Sequence, residues 1–224
     1  NLMHFRIHNE GWVYLVVSVI LTIITFPFFP IVGLFLLIIS FCFFYFFRDP
    51  IRIIPNENVI VSPADGKIVF LGESNLPEEC GIKGKFLKIS IFLDIFNVHV
   101  NRMPISGIVK DIKYISGKFF RANVEKSSKE NERNIIIIEN EKKEKIIVTQ
   151  IAGLIARRIV CDLKINQEVL KGERFGIIKF GSRVDLYLPL NYKILVAVGQ
   201  TVIGGETIIS NPNKISKISK TIIK

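Results

Sequence analysis

The sequence predicts a mainly β domain carried behind an N-terminal hydrophobic helical hairpin. Three observations make that prediction. From Trp12 to Phe47 the chain runs 36 positions without a charged residue. Beyond Val59, nearly every stretch reads as a strand-length run between Gly, Pro and Asn turns. Two short patterns also recur inside the β part, which points to internal symmetry.

The hairpin comes first. A bilayer crossing needs about 20 apolar residues, so the uncharged run suits two short passes. Pro27 and Pro30 stand near its middle, where a helix breaks, dividing it into Trp12–Phe26 and Ile31–Phe47. Both segments are short for a full span, so a hairpin that dips into one leaflet is the alternative to two crossings. A cleaved signal peptide is disfavoured, because the run is long and bulky and lacks a small-residue cleavage site. Arg6 before the run, and Arg48 and Arg52 after it, put both ends on the cytoplasmic side of the cell's inner membrane. Cys42, Cys80 and Cys161 have neither metal nor disulfide spacing, in keeping with a reduced compartment. The net charge is +10, and none of it comes from the hairpin. A basic domain held at a bilayer is drawn to anionic lipid. That makes an anionic membrane, not nucleic acid, the expected partner of the charge.

Pro50 and Pro55 punctuate a linker, which gives 1–55 as hairpin and linker and 56–224 as the β domain. Clear strand runs are Lys67–Leu71, Phe86–Phe92, Ile108–Ile115, Ile135–Ile138, Ile146–Gln150, Arg174–Phe180, Arg183–Leu188 and Ile194–Val198. Ile151–Val160 reads as partly helical. Ser116–Asn134 is polar over most of its length and reads as a solvated loop, with Phe119 and Phe120 placed to touch lipid or lid a pocket. Glu139–Lys145 mixes signs evenly and reads as a hairpin tip. The recurring patterns are Pro63–Ile68 with Pro104–Val109, and Asn166–Glu173 with Gly199–Glu206, 33 positions on. The Q-x-V-x-x-G-E turn of the second pair resembles those of lipoyl and biotinyl carrier domains. That resemblance implies a barrel-sandwich-hybrid-like fold with quasi-twofold symmetry.

One dipeptide stands out for chemistry. Gly181-Ser182 separates the runs Arg174–Phe180 and Arg183–Leu188. Glycine takes backbone angles closed to other residues, and the following hydroxyl is a potential nucleophile towards Gly181's own carbonyl. By spacing alone, Gly-Ser is a common turn dipeptide. A serine hydroxyl needs a base beside it, and His99 is the one imidazole beyond the hairpin, since His4 and His8 precede it. Asp65, before Gly66, is ordinary turn chemistry by itself.

The surrounding motifs carry more. FGSRVDLYLP at 180–189 resembles the self-cleavage site of the phosphatidylserine decarboxylases, in the short bacterial branch of that family. SPADGKIV at 62–69, FNVHVNRMPISGIV at 96–109, NERN at 131–134 and TQIAGLIARRIVC at 149–161 resemble the same family, in the same order. With the hairpin they cover the chain from end to end. The resemblance implies a pyruvoyl-dependent lyase of phospholipid biosynthesis that converts phosphatidylserine to phosphatidylethanolamine and carbon dioxide. It implies a proenzyme that cuts itself between Gly181 and Ser182 into a β chain, 1–181, and an α chain, 182–224. Ser182 would attack the Gly181 carbonyl, the resulting ester would eliminate, and hydrolysis would leave a covalent pyruvoyl group. The substrate amine would form a Schiff base with that group, which takes up the electrons released with carbon dioxide.

By the same resemblance Asp65 and His99 join Ser182 as catalytic residues, in the manner of a triad, with His99 also returning a proton to the substrate carbon. The sequence departs from longer members at one point, for Arg102 stands where they carry a second histidine. Either His99 does both jobs, or Asp65 acts on Ser182 directly or through water. Arg157, Arg158, Arg102 and Arg133 are the candidates for the substrate phosphate. No metal site is expected, and a homo-oligomer is left open. The rival class is a non-catalytic, membrane-tethered lipoyl-like scaffold.

Overall fold

The computed structural model describes residues 6–117, 131–153, 158–179 and 182–212. The hairpin forms as its composition requires. β1 (Arg6–Ile7) leads into α1 (Trp12–Thr25), and α2 (Pro30–Phe46) returns to β2 (Arg48–Asp49), which pairs antiparallel with β1. Pro30 opens α2, where its missing N–H costs nothing. At 1.5 Å per residue the helices reach about 21 and 26 Å, short of a hydrocarbon core of about 30 Å. No helix among the described residues is long and apolar enough to cross a membrane. The buried residues between the helices are mostly small, Ser18 and Thr22 on α1 and Gly33 and Ser40 on α2. A Cβ on Gly33 would lie 2.6 Å from the Phe26 Cα. The hydroxyls turn back on their own helices, Thr22 Oγ1 donating to Ser18 O at 2.8 Å and Ser40 Oγ to Leu36 O at 2.9 Å. The outward faces carry exposed Val13, Ile23, Phe28, Ile31 and Phe35. Small residues thus lie between the helices and bulky apolar ones outside.

The β domain runs through β3 (Ile60–Val61), β4 (Gly66–Asn75), β5 (Lys85–Leu93), β6 (Val100–Arg102), β7 (Gly107–Ile115), β8 (Arg133–Glu139) and β9 (Lys145–Ala152). It continues with β10 (Ile159–Cys161), β11 (Glu168–Val169), β12 (Arg174–Ile178), β13 (Ser182–Leu188), β14 (Lys193–Ile194), β15 (Thr201–Val202) and β16 (Ile208–Asn211). Eight of these make one antiparallel sheet in the order β11-β7-β8-β9-β13-β5-β4-β15. Two three-stranded sheets, β10-β12-β6 and β14-β16-β3, share its core. Ile89 and Ile91 of β5 and Val184 and Leu186 of β13 meet Phe175 and Ile178 of β12, and Ile60 and Ile209 of the other small sheet. The mainly β, barrel-sandwich expectation holds.

The two sequence echoes pair with each other. Thr201 and Val202 sit opposite Lys67 and Gly66, and Glu168 and Val169 opposite Ile108 and Gly107. Beyond the strands, Ile68 N donates to Gln200 O and Val109 N to Gln167 O, both at 2.9 Å. The glycine is needed in both copies, because a Cβ would meet the Phe92 carbonyl oxygen at 2.2 Å or that of Glu139 at 2.4 Å. Each copy thus closes one end of the eight-stranded sheet in the same way.

Some segments differ from their sequence reading. Asn131–Asn134 is buried and not loop; of Ile151–Val160, the first two residues end β9 and Ile159 and Val160 belong to β10, while 154–157 lie outside the described residues. Phe119 and Phe120 lie outside the described residues. The linker is also less separate than its prolines suggest. Phe46 and Phe47 pack on Val98, Val100 and Ile177 of the β domain. Asp49 pairs with Arg102 at 2.9 Å and with Arg174, and Arg52 with Asp65 at 2.7 Å. The hairpin therefore stands with its foot bound into the β domain, beside His99.

Candidate active site

Strand β13 is buried along its whole length, with β5 on one side and β9 on the other. Its alternation sorts the residues. Val184, Leu186 and Leu188 face the main core, while Tyr187 faces a second cluster with Ile135, Ile137 and Ile147. Arg183 and Asp185 share the Tyr187 face and pair with each other at 2.9 Å, and Lys88 reaches Asp185 at 3.3 Å. Ser182 belongs to the core face, in one row with Leu93 of β5 and Ala152 of β9. Its hydroxyl is wholly buried and has no hydrogen-bond partner among the described residues.

The other candidates gather towards that end of the sheet. Lys67, Phe92 and Arg183 form one row across β4, β5 and β13. Asp65, two residues before Lys67, therefore lies past the row on the Ser182 side. His99 ends the β5–β6 connection, and its carbonyl accepts from Ile178 N at 3.4 Å, close before Ser182 in the chain. Its ring is fully buried and lies 4.3 Å from the Phe46 ring at the hairpin foot. Nδ1 sits 3.0 Å from the Asn97 carbonyl, while Nε2 has no partner among the described residues. Burial lowers the His99 pKa to about 4, the Asn97 carbonyl opposing only in part. The imidazole is thus neutral near pH 7. A carbonyl only accepts, so the proton is on Nδ1, and Nε2 presents its lone pair.

Asp65 is engaged elsewhere. Its Oδ2 takes Arg52 at 2.7 Å and its Oδ1 accepts from Gly204 N at 2.8 Å. In the other copy of the echo Ser106 occupies the place of Asp65, and its Oγ accepts from Lys171 N at 2.9 Å. Closing the turn is therefore part of what Asp65 does. Burial raises its pKa despite Arg52 and Gly204. Asp65, His99 and Ser182 share one end of the fold, but they do not form a hydrogen-bonded chain in this structure.

Two arginines offered for phosphate are already held. Arg102 is buried, donating to Gly172 O at 3.0 Å and to Asp49 at 2.9 Å. Arg133 is buried and pairs with Glu79. Arg158 is exposed, and its carbonyl accepts from Lys179 N at 3.2 Å, three residues before Ser182. Arg157, Phe180 and Gly181 lie outside the described residues. No group of His, Cys, Asp and Glu that would hold a metal occurs among the described residues.

One residue escaped the sequence reading. Asn101 is fully buried, and its Oδ1 accepts from Gln150 Nε2 at 2.9 Å, while Gln150 Oε1 accepts from Asn134 Nδ2 at 3.0 Å. This relay leaves Asn101 Nδ2 as a donor with no partner among the described residues. Gln150 sits opposite Val184, one strand repeat of about 7 Å from the Ser182 row. The signal for Asn101 was its place in HVNRMP, two positions after His99, but an asparagine there names no chemistry until its neighbours are known.

The family model described as phosphatidylserine decarboxylase matches residues 39–210. The chain belongs to that family. The phosphatidylserine decarboxylase proenzyme of Wolbachia pipientis wMel is 54% identical over 212 residues, covering 93% of this chain and 92% of the relative. That of Ehrlichia chaffeensis is 51% identical over 212 residues, with 94% and 92% covered. That of Pelagibacter ubique is 48% identical over 207 residues, with 92% and 96% covered. Family membership sets aside the scaffold reading.

Proposed function

We propose that the chain is a self-processing phosphatidylserine decarboxylase that cuts itself between Gly181 and Ser182 and works at the cytoplasmic face of the inner membrane. The observation that carries this is that Ser182 Oγ, His99 Nε2 and Asn101 Nδ2 are among the buried polar atoms without partners among the described residues. A buried polar group left unpaired costs about 1–3 kcal/mol. These three are explained if reacting groups complete them.

These unpartnered atoms support the following roles. His99 Nε2 takes the Ser182 proton as Oγ bonds to the Gly181 carbonyl carbon. Asn101 Nδ2–H donates to the carbonyl oxygen as it gains charge, the service of an oxyanion hole. With Arg52 holding its carboxylate, Asp65 supports the site by charge and by closing the Gly204 turn, which leaves His99 as the base. A pyruvoyl group at position 182 would lie between the apolar side chains of Leu93 and Ala152. That group would supply an electrophilic carbonyl that captures the substrate amine and accepts the electrons released with carbon dioxide. His99, once protonated, returns a proton to the substrate carbon, and exposed Arg158 receives the phosphate. The hairpin holds the site at the bilayer, its foot at Phe46 bringing the headgroup layer to His99.

Intact mass and a denaturing gel test this reading. The purified protein should be two chains, 1–181 and 182–224, the shorter (43 residues) having no free amino terminus. Ser182→Ala should leave one inactive 25.5 kDa chain. A wild-type protein that decarboxylates phosphatidylserine as a single chain would overturn it.

A further inference from the structure

The connection from β5 to His99 exposes two large apolar side chains, Ile95 at 49% and Phe96 at 66%. The turn that carries them is rigid. Asp94 Oδ1 accepts from Phe96 N at 2.8 Å and Asn97 N at 3.2 Å, while Asn97 Oδ1 accepts from Asp94 N at 2.9 Å. A turn this closely bonded holds the pair outward, where their exposure to water is unfavourable.

Its position says what covers them. Arg48 donates to Tyr45 O in the last turn of α2 at 2.7 Å, and to Phe96 O at 2.6 Å, with its guanidinium over the Tyr45 ring. The wedge is thus tied to the hairpin foot. Half-exposed Trp12, Tyr14 and Tyr45 ring that foot, and amphipathic aromatics with a basic residue mark the level of a membrane's headgroups. The apolar exterior of the hairpin runs on from this level in one direction, and the β domain in the other. Ile95 and Phe96 sit at the boundary.

We propose that Ile95 and Phe96 enter the boundary between headgroups and acyl chains as a second membrane contact, separate from the hairpin. The proposal rests on the hairpin being a lipid anchor. Its consequence is local, because the Asn97 carbonyl of the same turn holds His99 Nδ1. Seating the wedge in the bilayer fixes the height of the catalytic imidazole above the lipid from which the substrate comes. The hairpin gives residence on the membrane, and the wedge gives register.

A single-tryptophan protein tests this. Trp12 is the sole tryptophan, so Phe96→Trp in a Trp12→Phe background reports on position 96 alone. The full chain goes into vesicles of phosphatidylserine, phosphatidylethanolamine and phosphatidylglycerol containing lipids brominated near the glycerol end of the acyl chain. The expected result is blue-shifted, strongly quenched emission. Water-like, unquenched emission at position 96, with Trp12 of the unmodified protein quenched, would overturn the wedge and leave the anchor standing. Absence of quenching at both positions would overturn the anchor itself.

A second variant, Ile95→Ser/Phe96→Ser, separates lipid contact from other roles. Self-cleavage should proceed as in the parent. The KM for phosphatidylserine in vesicles should rise about tenfold, while turnover of a short-chain, monomeric phosphatidylserine stays at the parent's rate. Loss of self-cleavage would make the turn a support for His99 and refute the proposal. So would a drop in oligomer size on sedimentation in detergent, since a second copy would then be what covers the patch.

Discussion

Replacing His99 with Gln tests whether its imidazole is held neutral, the condition on which its use as a base depends. In the unfolded chain a histidine titrates near 6.5, and in the folded protein burial lowers His99 to about 4. Between those values the unfolded state binds a proton that the folded state refuses. The stability His99 allows is therefore present above pH 6.5 and is lost as pH falls towards 4. A gap of about 2.5 pH units at 1.36 kcal/mol each gives a loss of about 3 kcal/mol. The comparison is best made in a Ser182→Ala background, so that parent and His99→Gln variant are both single chains. Urea unfolding of the full chain in mild detergent, followed by circular dichroism from pH 7.5 to 4, gives the two curves. Their difference should be flat above pH 7 and fall by about 3 kcal/mol between 6.5 and 4, cancelling titrations common to both. A difference that stays flat throughout would mean a solvated imidazole, and the argument for an uncharged Nε2 would fail.

Asn101→Ala removes the buried donor proposed for the oxyanion and should slow self-cleavage about 10²–10³-fold, read as the half-time of band conversion. The fold should survive, Gln150 losing one acceptor at about 1 kcal/mol. Unchanged processing would remove Asn101 from the reaction. Arg52→Met strands the Asp65 carboxylate in a largely buried place and should cost about 3 kcal/mol in urea unfolding. Arg52→Met with Asp65→Asn should recover most of that, and two costs that simply add would show that the pair is not coupled.

Much of this was legible because local chemistry dictated it. Pro27 and Pro30 break the apolar run wherever it is placed, and the helices end and begin beside them. The echoes foretold a symmetric pairing because the same glycine, facing a neighbouring carbonyl, is required twice. Other features depend on partners far along the chain. Asn131 reads as loop, yet its Nδ2 donates to Ala152 O at 2.7 Å and the residue is fully buried. Arg102 and Arg133 look like phosphate ligands until Asp49 and Glu79 are found beside them. The pairing of Asp65 with Arg52 is likewise visible only in the fold. Composition shows a polar residue's need for a partner, but only the fold shows which partner it has.

The placement of β13 bears on how such an enzyme must be made. A cut before Ser182 frees the end of a strand laced to β5 through seven paired positions and to β9 through six. The new end belongs to a strand in the middle of the sheet, and the same fragment carries the edge strand β15. Neither product chain has a complete core without the other, since Val184, Leu186 and Leu188 come from one and Ile89, Ile91 and Val148 from the other. If the chain cuts itself there as proposed, the bond before Ser182 would be needed during folding, when it delivers the central strand to its slot, and would be dispensable afterwards. Processing is then a one-way clock. Denaturing the mature two-chain enzyme should be far harder to reverse than denaturing its uncut Ser182→Ala counterpart, although the two share almost every contact.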